Sequence, residues 1–306
     1  MNLFVGYACN LRCPYCFAGA LQTLYPHRIS EENFEKFFAW CVRTGLSRLA
    51  FIGGEPTLHP RLADMVERAA EARIAVSVFT NGLGRPALMD RLGASAAQFI
   101  VNYNPPELLS SGERRRLRDN LLLMGASGAR LVFSKNFSPR YADYAYLLEG
   151  IVTYEIPAVR YDISRPDLLG SNDFAPPEAM SRLLAAVTAF VERCAALGVS
   201  TGMDCCLRMC DTEPEQRAFL ERVSAKFTGI CHPSLDVHPD LSVSYCLPLH
   251  DLRVPDVTAF SGEEALRWHF AEAARPIRER NAAGECRSCK DFMRRCQGGC
   301  LAGPRH

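Results

Sequence analysis

Short apolar runs alternate with helical patterns over the first two thirds of the chain, and this alternation is what most constrains the fold. Each run is short and apolar enough to be buried on both faces of a parallel sheet. The candidate strands are residues 3–7, 49–52, 74–80, 99–102, 131–134 and 159–163. A strand and a helical pattern in regular alternation are typical of βα units, so the pattern predicts an α/β fold with six such units.

Two of the helical patterns each place a cysteine on an apolar face. Ser30 is a candidate N-cap for the first helix, and Pro176 and Pro177 open the second. The apolar faces consist of Phe34, Phe37, Phe38 and Cys41 in the first helix and of Leu183, Leu184, Val187, Phe190, Val191 and Cys194 in the second. We therefore expect Cys41 and Cys194 to pack in the core and not to react. The charged run 113–116 is predicted to be a solvated helix face.

Composition limits the classes of partner. Lysine plus arginine (35) nearly balances aspartate plus glutamate (34), which gives no net field toward nucleic acid or an anionic membrane. No signal peptide and no run of about 18 apolar residues is present, so a cytoplasmic protein is predicted. In a reducing compartment clustered thiols are metal ligands or redox groups, and the 14 cysteines of this chain are clustered.

The βα regularity ends near Val199, and the rest of the chain is rich in cysteine and proline. We expect a first domain at residues 1–200 and a second, smaller domain at residues 201–306.

Three of the cysteines, Cys9, Cys13 and Cys16, stand in one short loop directly after the first predicted strand. Four cysteines are the usual complement of a four-iron cluster, so three leave one iron open to a small molecule. The alternative is a structural zinc site, which usually has four ligands supplied as C-x2-C pairs, and no partner pair lies nearby in the sequence.

The spacing of this loop, with Tyr15 before the last cysteine, resembles the signature of the radical S-adenosylmethionine (SAM) enzymes. The resemblance implies that Cys9, Cys13 and Cys16 hold a 4Fe-4S cluster whose open iron is chelated by the amino and carboxylate groups of SAM. Tyr15 and the backbone near Phe17 would lie at the adenine. An electron from the cluster would then cleave SAM into methionine and a 5′-deoxyadenosyl radical, which abstracts a substrate hydrogen.

Candidate SAM-binding residues follow the other strands. Gly53, Gly54 and Glu55 after the second strand resemble the GGEP motif of the same superfamily, with a carboxylate suited to an ammonium group. The third strand ends with Thr80 and Asn81, as it does in relatives. Two further residues, Asn102 and Ser134, are predicted only from their positions at strand ends.

Other polar residues near the strand ends have two open interpretations. Asn104-Pro105-Pro106, Arg160, Asp162 and Arg165 either face a substrate or are turn residues and surface charges.

The cysteines of the second domain resemble those of the SPASM and twitch extensions of the superfamily, which hold auxiliary four-iron clusters. The candidate metal ligands are Cys205, Cys210, Cys231, Cys246, Cys286, Cys289, Cys296 and Cys300. Eight ligands would complete two clusters, whereas Cys231, Cys246, Cys286 and Cys289 alone would complete one. A thiol left over among Cys205, Cys206 and Cys210 could instead donate a hydrogen atom to a substrate radical. A zinc ribbon is the alternative for the C-x2-C and C-x3-C pairs.

The pattern departs from the usual SPASM spacing in three ways. Six residues, not five, separate Cys289 from Cys296, no glycine stands at the expected place before Cys246, and no final cysteine follows Cys300 before the end at His306. These departures leave the number of auxiliary clusters, one or two, open.

The resemblance implies a partial (βα)6 TIM-like barrel with a small auxiliary-cluster domain, an electron donor such as a flavodoxin or ferredoxin, and a substrate. We expect a ribosomally made peptide that receives a crosslink, a thioether or an epimerised residue, on family frequency alone. Because no separate leader-binding domain precedes the barrel, we expect a peptide substrate to need either a partner protein that binds the leader peptide or direct recognition by the second domain. The alternatives are a twitch-type dehydrogenase acting on a small molecule and a zinc-stabilised binding module without catalysis.

Overall fold

A computed structural model describes residues 1–23 and 28–302, which form two compact units. The first unit contains residues 1–13, 18–132 and 233–270, and the second contains residues 14–17, 133–232 and the chain from 271 onward. The strands are β1 (Asn2–Phe4), β2 (Arg48–Ile52), β3 (Ala75–Thr80), β4 (Gln98–Asn102), β5 (Arg130–Phe137), β6 (Ala158–Ile163), β7 (Ser200–Met203), β8 (Ser224–Ala225), β9 (Asp236–Val237), β10 (Val243–Ser244) and β11 (Arg253–Val254).

The α-helices lie mainly between these strands and complete the βα units. They are α1 (Glu31–Thr44), α2 (Leu62–Glu71), α3 (Pro86–Gly93), α4 (Ser111–Ala126), α5 (Ala145–Thr153), α6 (Met180–Ala196), α7 (Pro214–Val223), α8 (Glu263–Asn281) and α9 (Gly284–Arg287). None of the described helices is both long and apolar enough to cross a lipid bilayer.

Parallel strands dominate the sheet in both units. In the first unit the strand order is β11-β10-β9-β1-β2-β3-β4, and pairing is parallel from β9 through β4. In the second unit β6, β7 and β8 are adjacent and parallel. The predicted α/β class is therefore confirmed, and all six predicted strands are present. The proposed boundary between domains at residue 200 stays a prediction.

The ends of two predicted strands differ from the structure. β1 ends at Phe4 instead of Tyr7, although Val5 N still donates to Ile52 O at 3.0 Å and Gly54 N donates to Gly6 O at 3.0 Å. Backbone pairing thus continues beyond β1 but loses the regular ladder. β5 runs three residues further than predicted, to Phe137, whose side chain is fully buried.

The two predicted helix faces are largely correct. The Ser30 hydroxyl accepts from Asn33 N at 3.1 Å and caps α1, as expected. Trp40, which was not predicted, is fully buried on that face, and Phe38 is only half-buried. The second helix, α6, begins at Met180 because the two prolines start a 3₁₀ turn and not the α-helix itself. All six of its predicted core residues are buried.

Cys41 and Cys194 belong to the core, as predicted, since both are 0% exposed. Burial raises the pKa of each thiol to about 12, which leaves both protonated and unreactive at neutral pH. The arginines at 114–116 are exposed on α4, so the prediction of a solvated face is also confirmed.

Residues 233–270 return to the first strand, a feature that no local pattern indicated. β9 pairs in parallel with β1, with Asn2 beside Asp236, and Asn2 Nδ2 donates to Asp236 Oδ1 at 2.7 Å. On the same unit Trp40 Nε1 donates to Phe260 O at 2.8 Å. The core of the first unit is therefore built from both ends of the sequence range that it covers.

A buried histidine joins the segment after β1 to this returning segment. The Tyr7 hydroxyl lies 2.5 Å from His238 Nδ1, and His238 Nε2 lies 2.9 Å from Ser244 Oγ. All three side chains are buried. Burial lowers the pKa of His238 to about 4, so the ring is neutral in the folded protein at ordinary pH.

We predict that the free energy of unfolding depends on His238 in mild acid. The unfolded chain binds a proton below its ordinary pKa of about 6.5, whereas the folded chain does so only below about 4. Stability is therefore lost as the pH falls through this window. Between pH 7 and pH 5 the wild type should lose about 2 kcal/mol more than His238→Phe, measured by urea unfolding followed by circular dichroism. Equal losses in the two proteins would contradict a buried, neutral His238.

Candidate active site

The loop with Cys9, Cys13 and Cys16 follows β1 and is held in part by its own polar groups. Leu11 N donates to Cys9 Sγ at 3.4 Å, and the Cys13 thiol lies 3.5 Å from Asn104 Oδ1. Cys9 and Cys13 are half-buried members of the first unit, and the exposed Cys16 belongs to the second. Asn104, one of the residues with two open interpretations, is thus placed at a cysteine of the loop.

The backbone of residues 6–8 leaves no room for a side chain at Gly53 or Gly54. A Cβ at Gly53 would collide with Gly6 O, and a Cβ at Gly54 would collide with the carbonyl oxygens of Tyr7 and Ala8. Only glycine permits this approach, which lets Glu55 N donate to Ala8 O at 2.8 Å. The turn therefore lies directly against the segment that leads into the cysteine loop.

Among the described residues of the first unit, Glu55 is the carboxylate that accepts the most hydrogen bonds. Its Oε1 accepts from Thr57 N at 3.1 Å, from Thr57 Oγ1 at 2.7 Å and from Thr80 Oγ1 at 2.8 Å, and its Oε2 accepts from Asn81 N at 2.6 Å. The residue is 3% exposed. Burial raises the pKa of Glu55, and the donors that point at its oxygens, led by Asn81 N, oppose that rise.

Asn81 connects this carboxylate to the cysteine loop. Its Nδ2 donates to Asn10 Oδ1 at 2.7 Å, while its Oδ1 accepts from Leu83 N at 2.9 Å. Asn10 stands between two predicted cluster ligands, which was the signal for its role, but the sequence interpretation passed over it. The structure thus brings together Glu55, Thr80 and Asn81, as predicted, and adds Asn10.

Asn120 is a second residue that the sequence interpretation missed. It is fully buried on α4, and its Nδ2 donates to Gly82 O at 2.7 Å and to Gly84 O at 2.8 Å. It therefore fixes the loop after β3. The available signal was an amide on the otherwise apolar face of α4, whose other buried residues are Leu117, Leu121 and Met124.

The remaining predicted SAM-binding residues are divided between the units. In the first unit Asn102 is half-buried, and its Nδ2 donates to Asn104 Oδ1 at 3.2 Å. In the second unit Ser134 is buried on β5, and Phe17 is half-buried. Tyr15, 5% exposed, packs edge-on against Tyr141 with ring centroids 5.8 Å apart.

Polar residues within β6 and just after it form a charged centre in the second unit. Asp162 is half-buried, and its carboxylate is hydrogen-bonded to the Cys205 thiol. Desolvation raises the pKa of Asp162, and the charge of Arg165 opposes this rise. Arg160 forms an ion pair with Asp204. Arg165 is 7% exposed, and its Nη2 donates to Cys206 O at 3.1 Å. Arg165 is therefore not a surface charge, which removes that interpretation for this residue.

A cavity of about 90 Å³ lies beside this centre in the second unit. Its lining includes Arg165, Arg208, Arg278, Cys206 and Cys300. Arg278 is 4% exposed and donates through Nη1 to Gly299 O at 3.3 Å. Guanidinium groups and thiols therefore line one cavity, a combination that suits a bound group carrying negative charge.

The candidate ligands of the auxiliary clusters are unevenly distributed. Seven of the eight belong to the second unit, and Cys246, which precedes a short 3₁₀ turn, belongs to the first. Within residues 1–23 and 28–302, no three His, Cys, Asp or Glu side chains are gathered around a point as ligands of one metal ion would be.

Comparison with known proteins shows what parts of this chain are similar to. The family model described as the radical SAM superfamily matches residues 3–105. A curated relative, the GTP 3′,8-cyclase of Streptomyces coelicolor, is 37% identical over 135 residues, which are 40% of this chain and 38% of that protein. This chain thus matches less than half of the length of that relative.

Two solved structures share the fold over nearly the whole chain. The native anSMEcpe with bound AdoMet and Cp18Cys peptide has a TM-score of 0.68 at 18% identity, covering 98% of this chain and 88% of that one. SuiB of Streptococcus suis bound to its precursor peptide SuiA has a TM-score of 0.66 at 14% identity, covering 100% and 73%. These likenesses confirm the expected fold class of βα units, and the part of the chain that is similar to the radical SAM superfamily is residues 3–105.

We predict that Glu55→Gln destabilises the first unit. An amide in place of the carboxylate turns one acceptor into a donor that faces the donors of Thr57, Thr80 or Asn81. One unsatisfied buried donor costs about 1–3 kcal/mol. Urea unfolding should show a loss in this range. The matched control, Glu107→Gln, changes an exposed carboxylate of the same unit and should shift stability by less than about 0.5 kcal/mol. Equal effects would contradict the role given to Glu55.

Proposed function

We propose that this enzyme cleaves SAM reductively and abstracts a hydrogen atom from a ribosomally made peptide, leaving a crosslink, a thioether or an epimerised residue. The observation that carries the first half is the hydrogen-bonded chain from Glu55 through Asn81 to Asn10, inside the cysteine loop. The family motifs predicted separately from sequence are thus physically connected. A cytoplasmic location stays a prediction.

The residues of the loop fit a 4Fe-4S cluster by their chemistry. Cys9, Cys13 and Cys16 offer three thiols, and Leu11 N already donates to the sulfur of Cys9, as backbone amides do toward cluster thiolates. Three protein ligands leave one iron for the amino and carboxylate groups of SAM. When bound, the cluster supplies the electron that cleaves SAM and generates the 5′-deoxyadenosyl radical.

The chain's own residues hold this site in place. Asn10 and Asn81 fix the loop relative to the end of β3, and Glu55 fixes the ends of β2 and β3 to each other. In this proposal Gly53, Gly54, Glu55, Thr80 and Asn81 bind SAM. Asn102 and Ser134 contribute polar groups, and Tyr15 and Phe17 lie toward the adenine.

A peptide substrate is supported by the share of this chain that resembles peptide-bound structures. The likeness to anSMEcpe and SuiB, whose structures contain bound peptides, extends over 98% and 100% of this chain, including the cysteine-rich part. The match to GTP 3′,8-cyclase covers 40% of the chain. That match is the observation that favours the second candidate, a small-molecule substrate such as a nucleotide.

The proposal includes auxiliary four-iron clusters held by the cysteines after residue 200, and an electron donor such as a flavodoxin or ferredoxin. A separate protein that binds the leader peptide is a further proposed partner. These elements follow from the family resemblance together with the buried arginines that lie beside the thiols Cys206 and Cys300.

We predict that protein purified without oxygen is brown, contains about eight to twelve irons per chain and releases 5′-deoxyadenosine when reduced with SAM. The Cys9→Ala, Cys13→Ala and Cys16→Ala triple variant should lose about four irons and all release of 5′-deoxyadenosine. Cys41→Ala, in the core, should keep both and serves as the control. Colourless protein that contains only zinc would exclude the proposed function in favour of a binding module.

The substrate class is tested by isotope transfer. The enzyme is incubated with a uniformly deuterated short peptide encoded beside its gene and, in a parallel reaction, with deuterated GTP. We expect deuterium in 5′-deoxyadenosine, detected by mass spectrometry, only in the reaction with the peptide, because the radical takes its hydrogen from the substrate. Deuterium transfer from GTP and not from the peptide would contradict the peptide proposal and support a nucleotide substrate.

A further inference from the structure

Three cysteine-bearing segments of the second unit lie side by side through their backbones. Leu207 N donates to Thr228 O at 3.2 Å, and Gln297 N donates to Gly229 O at 2.8 Å. Cys231 N donates to Gln297 Oε1 at 3.0 Å, which adds a side-chain contact between the second and third segments. The thiols near residues 206–210, 229–231 and 296–300 are therefore neighbours in space.

The first group of thiols consists of Cys206, Cys231 and Cys300, here named the inner set. The Cys206 and Cys231 thiols are hydrogen-bonded to each other, and Cys300 interacts electrostatically with both. Arg165 lies beside this set, with Nη2 on Cys206 O and with an Nε that has no hydrogen-bond partner among the described residues. A buried N–H without an acceptor, next to three thiols, fits a bound group that offers sulfur or anionic acceptors.

The second group consists of Cys210, Cys286, Cys289 and Cys296, here named the outer set. Cys289 N donates to Cys286 O at 3.1 Å, which places these two cysteines in one turn. Gly298 lies against Cys286, because a Cβ built at Gly298 would be 3.8 Å from Cys286 Sγ. Gly229 lies between Met209 and Cys296, because a Cβ built at Gly229 would be 2.7 Å from Met209 Cγ and 2.9 Å from Cys296 Cα. The segment that contains Cys210 is therefore near the segment that contains Cys296.

Electrostatic interactions agree with this grouping. They connect Cys286 with Cys210, Cys289 and Cys296, and they connect Cys210 with Cys296. Arg208 interacts with both Cys210 and Cys286, while its Nε donates to Asp211 at 3.1 Å. A cation is thus available at the outer set, as Arg165 is at the inner set.

Cys205 is assigned to neither set. Its thiol hydrogen-bonds the Asp162 carboxylate, and it interacts electrostatically with Cys300 and Arg165. The thiol of the adjacent Cys206 is hydrogen-bonded to Cys231 instead. The two consecutive cysteines therefore differ in their hydrogen-bond partners, although both lie near Cys300 and Arg165.

We propose that Cys210 completes a four-thiolate site with Cys286, Cys289 and Cys296 for one four-iron cluster, separate from a second cluster bound by the inner set. The proposal rests on the proposed function for the presence of iron, and it goes beyond that function in assigning ligands. Four thiolates are the usual complement of such a cluster, and the outer set supplies four from a single unit. Arg208 offsets part of the negative charge that a four-thiolate cluster brings.

The test counts iron and does not depend on SAM or substrate. Full-length protein lacking Cys9, Cys13 and Cys16 is reconstituted with ⁵⁷Fe and sulfide without oxygen, and iron is measured by chemical assay and Mössbauer spectroscopy. This background should contain about eight irons. Cys210→Ala and Cys286→Ala should each reduce the count to about four, and so should the Cys210→Ala/Cys286→Ala pair, because both remove ligands of one cluster. The Cys210→Ala/Cys231→Ala pair should reduce it to about zero.

Cys194→Ala is the matched control, because Cys194 is a core thiol of the same unit that belongs to neither set, and this variant should keep about eight irons. The cluster that remains in each single variant reports that the chain is folded. A full iron count in Cys210→Ala would overturn the assignment, and so would a further loss of about four irons when Cys286→Ala is added to it. If the wild type cleaves SAM but the Cys210→Ala variants give either of these iron counts, only the ligand assignment fails. If the wild type binds no iron, the proposed function fails with it.

Discussion

The Glu55 carboxylate lies where water does not reach it, and donors from the ends of β2 and β3 point at both of its oxygens. Without that carboxylate, the backbone N–H groups of Thr57 and Asn81 would be buried without an acceptor. Each would then add a free-energy cost to folding. The orientation of Asn81 depends on this arrangement, and Asn10 in the cysteine loop depends on Asn81. One buried carboxylate thus sets the geometry of three separate motifs.

How far the sequence predicts this arrangement depends on the distance over which each interaction acts. The Ser30 cap, the core face of α6 and the strands β2 to β4 follow from local patterns, and the structure confirms them. The parallel pairing of β9 with β1 does not, because it joins Asn2 to Asp236 through two very short strands. Asn120 was missed for a related reason, since its partners, Gly82 O and Gly84 O, are backbone atoms without a sequence signal.

The two glycines of the predicted SAM-binding motif also have a structural role within the chain. The groups that exclude a Cβ at Gly53 and Gly54 are the backbone carbonyls of residues 6 to 8. The turn therefore packs against the chain leading into the cysteine loop without the help of a ligand. This contact gives a structural reason for the motif that acts together with the expected role in SAM binding, because a ligand at the loop would meet backbone already held in place.

The cysteines after residue 200 illustrate the limit of spacing as evidence. Cys205, Cys206 and Cys210 are equivalent in the sequence, since any of them can supply a ligand or remain as a free thiol. In the structure the Cys205 thiol contacts Asp162, the Cys206 thiol contacts Cys231, and Cys210 lies beside Cys296. The three thiols therefore differ in their surroundings: Cys205 has Asp162 and Arg165 as polar neighbours, Cys206 has Arg165, and Cys210 has Arg208.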